Sequence, residues 1–71
     1  MTLAEQFGDN VRTLRRSYGW TQLVVGELAG LHRTEIQKLE AGEREPRLGT
    51  IVKVARALRV DPSYLVVGLR P

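Results

Sequence analysis

Cysteine is absent from this 71-residue chain, and histidine occurs once, at His32. The first absence excludes disulfides and thiolate metal sites, so apolar packing must hold the core. The second leaves no histidine pair for a metal centre. No nucleophile or acid–base constellation accompanies His32, so neither enzymatic activity nor a cofactor is expected. Long apolar runs are also missing: nothing approaches about 18 consecutive apolar residues, and Met1 to Glu5 lacks a basic stretch leading into an apolar one. No membrane association is therefore expected, and the protein should be soluble and cytoplasmic. Excess charge is scarce too. Eleven Lys and Arg against eight Asp and Glu leave +3, so the placement of charge matters more than its total. Nine of the eleven cations are arginine, a side chain suited to bidentate contacts with phosphate and guanine, although a solvated helix face explains any single one more simply.

What is present is helical periodicity. A chain this short forms one domain, residues 1–71, and buries only roughly 60% of its unfolded surface. Leu3, Phe7, Val11, Leu14 and Tyr18 recur at spacings of four and three, which predicts a helix over about residues 3–18 with one apolar stripe. Gly19 stops it, and Thr21 caps a second helix from Gln22 to Ala29. Gly30 repeats the stop and Leu31 anchors the turn. His32 and Glu35 occupy the places of a capping pair for a third helix, whose buried side is Ile36 and Leu39 and whose end is Gly42. Residues 43–47, charged and interrupted by Pro46, read as an exposed connection. Leu48, Ile51, Val54, Ala55 and Leu58 form the stripe of a fourth helix, with Val60 plugging the core beyond it. Asp61-Pro62 opens a fifth helix with a very apolar end, Tyr64, Leu65, Val66, Val67 and Leu69. No strand pattern or internal repeat competes with an all-α, five-helix fold.

Thr21-Gln22, Gly30-Leu31, Ile36, Leu39-Glu40 with Gly42, Pro46, and Ala55 with Leu58 and Val60 stand in the register of a known family. Over about residues 7–68 the chain resembles the Cro/C1-type helix-turn-helix family, most closely the restriction-modification controller proteins and small phage-type repressors. The resemblance implies a compact lambda-repressor-like domain that binds double-stranded DNA and regulates transcription, with the third helix in the major groove. By family position Arg33, Thr34, Gln37 and Lys38 read bases. Their spacing places them on one helix face, opposite Ile36 and Leu39. Arg33 is the foremost specificity residue, since a guanidinium donating to guanine O6 and N7 discriminates by roughly 1–3 kcal/mol. Glu35 either accepts from cytosine or completes the helix cap, the latter being favoured because phosphate repels a free carboxylate.

The same resemblance assigns Thr21, Gln22, Arg44 and Arg47 to the DNA backbone, with Gln22 also buttressing the recognition helix. The exposed N–H groups of a helix start give Thr21 and Gln22 a physical reason for that role, though Thr21 serves equally as a simple cap. Arg47 is the better placed of the two loop arginines, and it stands where a serine or threonine cap is commoner. Arg15 and Glu40 match a family salt bridge between helices one and three, a structural pair.

One reading helix covers few base pairs, so a homodimer on an inverted repeat is expected, with Tyr64, Leu65, Val66, Val67 and Leu69 as the candidate interface. Leu23, Val24 and Leu28 replace residues that are more often polar in the family. They either extend the core toward helix one or form a patch for a protein partner. The second outcome would suit an alternative function: an antitoxin-like module that neutralises a toxin and regulates its own gene.

Overall fold

The computed structural model describes residues 1–71, and in it the hydroxyl of Thr2 accepts from the Glu5 N–H while the Glu5 carboxylate accepts from the Thr2 N–H, opening α1 (Leu3–Ser17) with a reciprocal cap. Four more helices follow: α2 (Gln22–Ala29), α3 (Arg33–Ala41), α4 (Leu48–Ala57) and α5 (Pro62–Leu65). There is no strand, as the periodicity predicts. Thr21 caps α2 through the Val24 N–H, His32 and Glu35 cap α3 reciprocally, and Asp61 caps α5 ahead of Pro62. The sequence pattern placed these starts correctly because each cap is a contact between residues two or three apart.

The first four helices end alike, each closed by two backbone N–H bonds to successive carbonyls of its final turn. Trp20, Leu31, Glu43 and Val60 supply the outer bond, and Gly19, Gly30, Gly42 and Arg59 the inner one in a left-handed conformation. Trp20, Leu31 and Val60 are thereby turned back against the core. Arg59 alone holds this position without being glycine, at φ 60°. Its Cβ crowds the following carbonyl, so Arg59→Gly is expected to stabilise the fold by about 1 kcal/mol. In thermal unfolding followed by circular dichroism that is a rise of roughly 4–8 °C, and an unchanged or lower midpoint would show that no strain resides there.

The core gathers one face from every helix: Phe7 and Val11 of α1, Val25 and Ala29 of α2, Ile36 and Leu39 of α3, Val54 and Ala55 of α4, and Leu65 of α5. Both α1 and α2 pack on α3, α4 packs on α2, and α5 closes against α4 and α1. No helix is long and apolar enough to cross a membrane.

Three expectations are corrected. Leu48 is 78% exposed, because the packed positions of α4 begin only at Ile51 and no neighbour covers its first turn. Tyr18 lies past the end of α1 and is half-exposed; its ring stacks on Trp20 at 4.4 Å and its hydroxyl donates to the Leu58 carbonyl at 2.7 Å. The fifth helix stops at Leu65. Beyond it the chain is held to α1 by side-chain amides: Asn10 donates to the carbonyls of Leu65 and Val67, and Gln6 exchanges two bonds with the backbone of Arg70. Leu65 is consequently a core residue with no exposed surface, and Leu69 packs against the core, so of the five candidate interface residues only Tyr64, Val66 and Val67 are openly exposed.

Candidate nucleic-acid interface

Along α3, Ile36, Leu39 and Glu40 are buried, while Arg33, Thr34, Gln37 and Lys38 are all exposed on the other side. The helix begins at a two-sided cap. His32 Nδ1 accepts from the Thr34 N–H at 3.1 Å, and Glu35 Oε1 accepts from the His32 N–H at 3.3 Å. Glu35 is thus engaged by the helix start. The ion pairs of the chain lie on Arg12 and Arg15, which leaves the cationic ends of Arg33 and Lys38 uncommitted.

The turn before α3 is tight. Gly26 sits against it so closely that an added Cβ would fall 2.7 Å from the Leu31 carbonyl and 3.3 Å from the Arg33 nitrogen. Only a residue without a side chain lets α2 lie so close to the start of α3. Thr21 and Gln22, at the start of α2, fall on the same helix pair. The Thr21 hydroxyl is occupied as a cap, accepting from Val24 N–H at 3.2 Å, and the Gln22 amide donates to Glu40 Oε1 at 3.1 Å.

Glu40 is the junction beneath the exposed face. Arg15 meets it with two parallel bonds, Nε to Oε2 at 2.6 Å and Nη2 to Oε1 at 2.8 Å, and its third nitrogen donates to the Trp20 carbonyl at 2.7 Å. Arg12 donates from Nε to Oε1 at 3.4 Å and from Nη2 to the Glu40 carbonyl at 2.9 Å. Burial pushes the Glu40 carboxyl up, but bonds from Arg15 and Gln22, the Arg15 charge and a bond from Arg12 together hold it below the ordinary glutamate value. The bond to Glu40 raises the Arg15 guanidinium, against the opposing effect of burial. No buried side-chain polar atom lacks a partner, so this ionic cluster is fully satisfied. Periodicity contains no trace of Arg12, because a contact 28 residues away leaves no pattern within one helix.

Beside α3 lies a cleft of about 260 Å³, lined by Lys38, Arg44, Arg47 and Thr50 with Glu35, Glu45, Leu39 and Pro46. Arg44 and Arg47 are exposed, and Arg47 caps α4 without a side-chain bond, so its guanidinium is not spent on the helix. The structure therefore brings Lys38 to the same cleft as both loop arginines. Leu23, Val24 and Leu28 are exposed on α2 at 49%, 36% and 54%, and do not extend the core.

Two short helices joined by a glycine-led turn, the second capped at its start, buried on one side and polar on the other, define a helix-turn-helix module. The chain belongs to the helix-turn-helix family HTH_3, whose model matches residues 11–65. Among curated proteins it is similar to the control protein C.SmaI of Serratia marcescens, with 38% identity over 93% of this chain and 79% of the relative. Among solved structures it is similar to the restriction-modification controller protein C.AhdI of Aeromonas hydrophila, at TM-score 0.84 and 35% identity over 87% of this chain and 94% of that one. The P22 c2 repressor, in complex with a synthetic operator, superposes at TM-score 0.79 with 27% identity over 87% of this chain and 94% of that one. The full C2 repressor of Salmonella phage P22 is much longer, and this chain spans 28% of it. The all-α architecture is thus that of the repressor DNA-binding domains, as the resemblance implied.

Proposed function

We propose that the chain is a sequence-specific transcription regulator that binds double-stranded DNA as a homodimer on an inverted-repeat operator, with α3 in the major groove. The observation that carries this is the exposed, uncommitted face of Arg33, Thr34, Gln37 and Lys38 on a helix whose opposite side is sealed into the core. Arg33 reads guanine, and Thr34, Gln37 and Lys38 contact neighbouring base edges or, for Lys38, phosphate. Arg44, Arg47 and the exposed N–H groups at Thr21 and Gln22 hold the backbone. The longest extent of the chain is 30 Å, so two reading helices set one DNA turn, ~34 Å, apart require two copies. Tyr64, Val66 and Val67 are the surface proposed to join them. The similarity to two controller proteins favours a regulator of that size and type.

Selection from a random-sequence duplex pool, followed by anisotropy titration, tests this directly. Arg33→Ala should cost roughly 1–3 kcal/mol at one position per half-site and relax base preference there. Arg47→Ala should weaken selected and random duplexes alike and lower the slope of log affinity against log salt by about 1. Failure to enrich any sequence would remove the DNA-reading role. Exposure of Leu23, Val24 and Leu28 favours one second reading, an antitoxin-like module that also holds a protein partner. A toxin gene beside this one, and a complex abolished by Leu28→Asp, would be its expected signs.

A further inference from the structure

Glu5, Gly8, Arg12 and Arg15 follow one another along α1 at intervals of three and four, and the carboxyl end of α3 is set down along this row. Gly42, the residue that closes α3, lies so close to the first turn of α1 that an added Cβ would be 2.7 Å from the Glu5 Cα. Gly8 touches the end of α3 from the other helix: a Cβ there would fall 2.7 Å from the Glu40 carbonyl oxygen and collide with the Leu39 carbonyl as well. These neighbours are backbone atoms, which cannot swing aside as a flexible side chain would. One turn beyond Gly8, the Arg12 guanidinium spans Glu40 from carbonyl, at 2.9 Å, to carboxylate, at 3.4 Å, and approaches Asp9 at 3.9 Å. The carbonyls of Lys38 and Leu39 are already taken by the backbone N–H groups that close α3. Arg12 is thus the donor that satisfies the next free carbonyl of the recognition helix.

We propose that Arg12 is a positioning residue for DNA recognition, fixing the tilt of α3 against α1 through the main-chain carbonyl and carboxylate of Glu40. The inference rests on the reading of α3 as the DNA-contacting helix. Arg12 differs from Arg15 in what its loss leaves behind. The Arg15 side chain is 11% exposed and makes the paired bonds to Glu40, whereas that of Arg12 is 35% exposed, so water replaces it without a buried charge being stranded. The fold survives; the angle at which Arg33 and Gln37 are presented does not. Base-edge hydrogen bonds depend steeply on direction, whereas phosphate contacts tolerate a small rotation, so a loosened helix loses specificity before it loses affinity for DNA in general.

The experiment compares the intact chain with Arg12→Ala and Arg12→Lys at a temperature well below either melting point, on two probes: the duplex selected by the unaltered chain and a random-sequence duplex of equal length. For Arg12→Ala the ratio of the two affinities should fall roughly 2- to 30-fold, with the salt slope on the random duplex unchanged. Arg12→Lys should lose a similar share of the ratio, because an ammonium reaches one acceptor where the guanidinium spans two. An equal loss on both duplexes with a salt slope lower by about 1 would make Arg12 a phosphate contact and overturn the proposal. A retained ratio with a lower melting temperature would reduce Arg12 to a structural bond, and full recovery by lysine would show that charge alone suffices; either result overturns it. If the unaltered chain selects no duplex at all, the DNA-reading role fails first and the role of Arg12 falls with it.

Discussion

Glu40→Ala is expected to destabilise the domain by about 3–5 kcal/mol, the cost of stranding a buried charge when its partner is removed. Arg15 would keep its bond to the Trp20 carbonyl but lose both bonds to carboxylate, in a site where its side chain has little access to water. Gln22 would lose its acceptor and Arg12 one of its two. A chain of 71 residues has a total stability of only about 4–10 kcal/mol, so the variant should be substantially unfolded near its working temperature. Chemical denaturation at 25 °C measures the difference, and a midpoint equal to that of the unaltered chain would show that the ion pair contributes nothing.

The same pair makes stability depend on pH. Because the folded carboxyl of Glu40 titrates below its ordinary value, the unfolded chain takes up the proton first as pH falls. The stabilisation is complete above the ordinary glutamate range, about 4.3, and is lost as pH drops from there through the lowered folded value. The unaltered chain should therefore lose stability between pH 5 and the acid limit more steeply than Glu40→Gln, which has no carboxyl to protonate. Parallel profiles would place the acid sensitivity elsewhere, with the cap carboxylates Glu5 and Asp61, whose bonds to Thr2 and Ser63 lower them as well.

Leu65→Ala should cost about 2–5 kcal/mol, the range for emptying a fully buried leucine site, and the loss should be the same at every protein concentration. Leu65 lies in the core that also contains Phe7, Val11 and Leu58, and Asn10 holds its carbonyl in place. Val67→Ala, two residues on, should behave in the opposite way. Val67 is 66% exposed, so its truncation should leave monomer stability within about 0.5 kcal/mol and, if the surface joins two copies, weaken self-association. Unfolding at several concentrations, with light scattering, separates the two. A Leu65→Ala loss that shrinks as concentration rises would return Leu65 to the interface.

These two neighbours show why an apolar tail does not declare its buried side. Four apolar residues in a row, 64–67, cannot all face one core, and sequence pattern alone does not say which one does. In the folded chain Leu65 is the one turned into the core, and Asn10 of α1 holds the carbonyls of Leu65 and Val67. Leu48 is exposed for the related reason that a stripe is buried only where a neighbouring helix covers it. Arg15 and Glu40 are legible only through the family resemblance, since their spacing of 25 residues carries no periodic mark, and no such resemblance points to Arg12.

The sequence by itself determined the starts of α2, α3 and α5 and the polar face of α3, because caps and the helical period act between residues within a turn or two of one another. The tertiary structure alone decided which apolar residues are sheltered and how the end of α3 is tied to α1. Those outcomes depend on groups far apart in the chain meeting at hydrogen-bond distance, and on which exposed side chains find a partner once the helices have packed.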